Sequence, residues 1–203
     1  MASLDYKYVE LIEIKQSDGE KIEEDSWKQW YVGRQGLCEI RTSENLHPGK
    51  SSIKLWVDNG KEYQWLQTTF GELIEGNKSL YLQTRKSVYR FRDISEDKIA
   101  DDRAVFPALL RALKALGATG YSVGEVKDNA LCILWGSDGY EVFYESQGGK
   151  LGRKTFVKLL PAVANFFARL SRTQGFDQTT MYLCLDEALK YGADRKVQYS
   201  AES

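Results

Sequence analysis

The stretch LCILWGSDGYEVFYESQGGKLGRKTFVKLLPAVANFFARL, residues 131–170, decides how the second half of this chain folds. An apolar run over 131–135 meets the turn Gly136-Ser137-Asp138-Gly139, and a second run follows over 140–145. Two β-like runs joined by a Gly/Asp turn predict a hairpin. Its second strand puts Val142 and Tyr144 on one face and Glu141, Phe143 and Glu145 on the other. After a polar loop over 146–154 the apolar period lengthens from two to about 3.6. Phe156, Leu159, Leu160, Val163, Phe166, Phe167 and Leu170 recur at that spacing and predict one amphipathic helix against the hairpin. Pro161 lies inside the pattern, so the helix either starts there or kinks, and a start near residues 158–160 is expected. The expected core of this unit is Phe156, Val163, Phe166, Phe167, Leu131, Leu134 and Val142.

Working outward, Val105, Leu109, Leu110, Leu113 and Leu116 predict a helix over 104–116, with Pro107 in its first turn and Gly117 closing it. Residues 121–126 read as a strand and 178–190 as a last helix ending at Gly192, with a frayed tail after Asp194. On the other side of the charged boundary SEDKIADDR, residues 95–103, the period is two. Residues 4–15 alternate, with Tyr6 and Tyr8 on one face and Val9 and Leu11 on the other, up to the turn Ser17-Asp18-Gly19. Trp30, Val32, Leu37 and Ile40 predict strands broken at Gly33 and Gly36. Residues 53–57 and 62–68 flank the turn Asp58-Asn59-Gly60, Phe70-Gly71 opens a linker, and 80–83 with 88–92 make a hairpin. The expected fold class is α+β: an N-terminal antiparallel β-rich sheet or half-barrel over 1–95, then an α-β-β-β-α-α unit over 104–203.

Composition bounds what such a chain does. Of its 203 residues 42% are hydrophobic and 28% charged, the balance of a soluble globular protein. A formal net charge of −1 supplies no global field toward nucleic acid or a membrane surface. No apolar run reaches the roughly 18 residues a membrane span needs. The N-terminal MASLDYKYVELIEI carries Asp5, Glu10 and Glu13 where a secretory leader would be basic, so a cytoplasmic location is expected. Cys38, Cys132 and Cys184 lie far apart among apolar neighbours and predict buried free thiols. Neither they nor the lone His47 offer the close-spaced pairs of a zinc site, and no metal or cofactor is expected.

Catalytic patterns fail on spacing. Gly148-Gly149-Lys150 lacks the leading glycine and the Ser/Thr of a phosphate loop. Asp138, Glu141, Glu145 and Lys150 have the residue types of an acidic-lysine nuclease centre, which needs carboxylates converging on a metal. Asp138 is used by a turn, so no catalytic residue is assigned. Two patches suit binding instead. Glu20, Glu23, Glu24 and Asp25 crowd together beside Trp27 and Trp30, an arrangement that steers a basic partner and offers it an aromatic anchor. Arg85, Lys86, Arg90 and Arg92 interleave with Tyr89, the residue types that hold phosphates and stack bases.

The run Gly139-Tyr140-Glu141-Val142-Phe143-Tyr144-Glu145, a glycine turn, Phe156, Ala162 and Phe166-Phe167 with Leu170 resemble a pattern in bacterial polymorphic-toxin immunity proteins. Leu116-Gly117 ahead of the strand with Tyr121 is similar as well. The resemblance covers about the last half of the chain. It implies a non-enzymatic inhibitor that binds a cognate toxin domain in the cytosol. The acidic patch is then the expected partner-binding face, and nucleic acid is not an expected partner. The alternative is a nucleic-acid-associated or phage-derived accessory protein using the basic hairpin.

Overall fold

Alternation near its start and a bulge near its middle give β1, Ser3–Gln16, a length of 14 residues, enough to serve two neighbours. In the computed structural model, which describes residues 3–100 and 103–201, the first part of β1 pairs with β2, Gln35–Ser43, and the second with β7, Ser87–Asp93. β2 pairs in turn with β3, Lys50–Asp58. Along its other edge β3 meets first β4, Tyr63–Gln67, and then β5, Gly71–Gly76, at Ser51 opposite Gly71. β5 pairs with β6, Ser79–Thr84, and β6 with β7. Every join is antiparallel and the ring returns to β1. The expected half-barrel is therefore a closed barrel, a form that leaves the ring no unpaired edge.

The barrel interior is filled by side chains, Val9, Leu11, Cys38, Leu55, Leu82 and Phe91 among them. The register of β1 slips between Leu11 and Glu13. That bulge is why Ile14, three positions after Leu11, also turns inward. Gly36 lies inside β2 rather than ending a strand, because a Cβ there would collide with the Trp56 carbonyl across the β2–β3 join. The preceding residues form a short 3-10 helix, Trp27–Tyr31, not a strand. Trp30 and Tyr31 both pack on the core, and two successive residues reach one side only on a helical turn. Phe70-Gly71 opens β5, not a linker; two glutamates and an exposed Ile74 hide its period.

The chain divides into two compact units, Met1–Lys98 and Ile99–Ser203. In the first, the barrel is followed by α1, Ser95–Lys98, whose Ser95 hydroxyl accepts from the Tyr8 backbone at 3.0 Å. The second holds a sheet ordered β11-β10-β9-β8, built from β8 (Tyr121–Val123), β9 (Ala130–Gly136), β10 (Gly139–Ser146) and β11 (Gly149–Phe156). β8 runs parallel to β9 and the other joins are antiparallel. Three longer helices complete it: α2 (Phe106–Ala115), α3 (Leu159–Gln174) and α4 (Gln178–Ala201). α3 starts where Pro161 requires, lies on β9, β10 and β11, and buries Leu159, Val163, Phe166, Phe167 and Leu170.

Several expectations need correction here. The loop over 146–154 is only a tight turn leading into β11, so the unit has four strands. β11 is an exposed edge strand of glycines and charges, which carries no burial period to read. Leu134 packs with Ala130, Cys132 and Phe143. Phe143 and Val142 are successive residues on opposite faces of β10, which takes Leu134 out of the α3-side core. Phe156 is half-buried, Leu110 is exposed, and Val105 sits in a 3-10 turn, Arg103–Val105, ahead of α2. β8 stops at Val123, and α4 runs past Gly192 and Asp194.

A Phe166→Ala substitution removes a wholly buried ring and is expected to cost about 3–5 kcal/mol. Phe156→Ala should cost distinctly less, because part of its ring is already in water. Urea denaturation of both variants checks the order; equal losses would mean that the α3 register is wrong.

Candidate functional site

At the end of β1 the chain turns back on itself. The Asp18 carboxylate accepts from the Glu20 backbone at 3.0 Å, and Gln16 donates to the Glu20 carbonyl at 2.7 Å. Ile22 then packs on the barrel core and ties down the segment that carries Glu20, Glu23, Glu24 and Asp25. All four side chains are exposed, and among the described residues none of them is in an ion pair. Ser26 donates to the Glu23 carbonyl at 3.0 Å and leads into the 3-10 helix.

That helix sorts its aromatics by depth. Tyr31 is buried and its hydroxyl donates to the Trp65 carbonyl at 2.8 Å. Trp30 lies half-buried with the Arg34 guanidinium 3.9 Å above its ring, and Arg34 Nε donates to the Trp30 carbonyl at 2.8 Å. Trp27 meets Tyr31 edge-on at 5.9 Å yet keeps 61% of its surface in solvent. Two anchored aromatics thus present a third one, next to the carboxylates.

The basic hairpin is split by the pleat. Tyr89 and Phe91 point into the barrel, stacked at 6.4 Å. Arg90 and Arg92 point out, Arg90 over the Tyr81 ring and Arg92 onto Glu10. Tyr89 therefore does not stand beside the arginines, because neighbours on a strand face opposite ways; its hydroxyl accepts from Lys28 Nζ at 3.2 Å instead. Arg85 and Lys86 stay exposed at the hairpin tip. The Lys86 carbonyl accepts from the Ser17 backbone at 3.1 Å, so the acidic turn and the basic tip share one rim of the barrel.

Sequence reading missed a third feature on the barrel wall. Trp56 and Trp65 are cross-strand partners 5.3 Å apart, with Lys54 Nζ 3.9 Å above one ring and 5.0 Å above the other. The signal was present: the two tryptophans lie at equal distances from the Gly60–Lys61 bond at the centre of this hairpin.

Burial pushes the Cys38 and Cys184 thiols up, away from the reactive thiolate. Among the described residues no group of His, Cys, Asp or Glu side chains is placed to hold a metal ion, and no helix is long and apolar enough to cross a membrane. Glu141 is engaged by cations: Lys150 Nζ at 2.9 Å and Arg153 Nη2 at 2.6 Å. The hydrogen bond from Lys150 leads in holding its carboxyl below the usual value, and Arg153 adds to it against the opposing effect of burial. No family model, curated protein or solved structure matches this chain.

A carboxyl depressed by folding contributes stability above its unfolded pKa and loses it as pH falls through the folded one. The Glu141 contribution should thus be complete above about pH 4.5 and fade as the solution becomes more acidic. Urea stability of the native protein and Glu141→Gln, compared from about pH 7 to about pH 3, should converge at the acidic end. A constant gap would assign the loss to packing.

Proposed function

We propose that this chain is a non-enzymatic binding protein that captures a basic partner protein at the acidic, tryptophan-bearing rim of its barrel. The partner class we infer is a bacterial toxin domain, bound in the cytoplasm and blocked by occlusion. One observation carries the reading: Trp27 is exposed on an otherwise anchored helix, beside four exposed carboxylates that form no ion pair among the described residues. Tryptophan is among the residues enriched at interface hot spots, and its rigid mounting lowers the ordering cost of binding. The carboxylates raise the association rate of a positively charged partner and select against acidic ones. The resemblance of about the last half of the chain to the pattern of immunity proteins supports the toxin class. The basic hairpin lends less to a nucleic-acid reading, with Tyr89 inside the barrel and Arg92 on Glu10.

The test is affinity capture from the native host, followed by kinetics with the captured partner. Replacing Glu20, Glu23, Glu24 and Asp25 by Gln or Asn should slow association and flatten its salt dependence. Folding stability should change by less than about 0.5 kcal/mol, because the four charges are exposed and repel one another. Trp27→Ala should speed dissociation at unchanged melting temperature. Unchanged kinetics in both variants would reduce the rim to a solvated turn.

A further inference from the structure

A cavity of about 440 Å³ opens in the second unit between the C-terminal half of α3, the loop before β8, and the start of β9. Leu131, Tyr144, Asn129, Thr173 and Arg169 line it. That volume falls within the range of small-molecule sites, which run from about 300 to 1,000 Å³.

Arg169 is held there by construction. Its Nη1 donates to the Val142 carbonyl at 3.2 Å and to the Gly152 carbonyl at 3.1 Å. Both acceptors flank the register slip between β10 and β11. Gly152 has φ +58°, and a Cβ on it would come within 2.7 Å of Arg169 Nη2. A bulge and a glycine thus make room for the guanidinium. Carbonyl dipoles orient a cation without cancelling its charge. Among the described residues no carboxylate pairs with Arg169, and no group accepts from its Nε–H or Nη2–H. Those two nitrogens form the edge of the guanidinium fork that matches a carboxylate. The Tyr144 hydroxyl also has no partner among the described residues, and the Leu131 side chain supplies an apolar wall. Gln174 is already spent on both backbone groups of Thr119, which braces the cavity wall.

We propose that this cavity binds a small organic carboxylate, its head group on the Nε/Nη2 edge of Arg169 and its flat apolar body between Leu131 and the Tyr144 ring. A planar fork prefers a planar two-oxygen anion, and the Tyr144 ring favours an aromatic body. This goes beyond the partner reading and stands or falls separately from it, since none of these residues belongs to the barrel rim.

Benzoate is the probe, added to the full ¹⁵N-labelled chain at constant ionic strength. The readout is the Arg169 Nε–H resonance, assigned by its loss in Arg169→Lys. Benzoate should shift it saturably. Benzamide, the neutral counterpart, should bind at least about tenfold more weakly, since it lacks the charge-assisted pair. Thr173→Phe should abolish the shift: it fills the cavity from an exposed helix position and leaves both carbonyl bonds of Arg169 in place. A non-saturating benzoate shift, equal affinity for benzamide, or a shift that survives Thr173→Phe would each overturn the proposal. Inorganic phosphate binding more tightly than benzoate would overturn the carboxylate assignment.

Discussion

The first unit depends on one strand having two partners. β1 gives its first part to β2 and its second to β7, and only that sharing brings the two ends of the meander together. Closure satisfies backbone groups that an open sheet would expose, and it fixes an inside and an outside. The bulge after Leu11 keeps the inside apolar along the whole strand: without it, Ile14 would face water and Glu13 the core. Closure also decides what sits at the rim. Because β1 runs antiparallel to β7, the chain leaving β1 must pass the chain entering β7. Two loops that carry opposite charge are made neighbours by topology, not by attraction.

That juxtaposition sets the electrostatics of the rim. Residues 18–25 are acidic with Lys21 as their one cation, and Arg85 and Lys86 sit at the adjacent tip. Seen from far off, the two cations of the tip cancel part of this field. At contact range it does not cancel, since exposed charges are screened over about 10 Å in moderate salt. On the proposed reading, the acidic segment meets the partner's basic surface, and the Arg85-Lys86 tip disfavours a partner that is basic over its whole face. Selectivity, more than raw affinity, is what such an arrangement supplies.

Local signals in the sequence were legible where burial leaves a period. β9, β10 and α3 read directly, because Ile133, Val142, Phe166 and Phe167 sit at strand and helix spacing. The hairpins around Asn59-Gly60 and Arg85-Lys86 read from their turns. β5 and β11 did not: one has a solvent-facing Ile74 and two glutamates, the other is an exposed edge of glycines and cations. The 3-10 helix was hidden because Trp30, Val32 and Tyr31 suit a strand equally well, and only packing on the core chooses. At the candidate site the residues were legible as types but not as places. The alternation Tyr89-Arg90-Phe91-Arg92 reads as a mixed surface until the pleat separates it into an inner aromatic row and an outer basic one. Ring closure was beyond reach, because it rests on a long-range pairing and a join of one residue pair, Ser51 with Gly71.

Glu141 and Arg169 show two ways of holding a charge on one sheet, and the difference has functional content. Glu141 sits between Lys150 and Arg153, so its charge is answered within the protein and its worth is stability. Among the described residues, Arg169 is answered by two carbonyls alone. Dipoles lower the cost of taking a guanidinium partly out of water, but the full positive charge remains to be felt in the cavity beside it. Were Arg169 merely structural, a carboxylate across the bulge would secure it more strongly, and β10 has acidic residues to spend. Those residues, Glu141 and Glu145, lie on the other face of the strand. The fold therefore segregates its acids from this one cation, which leaves Arg169 able to take an anion from solution.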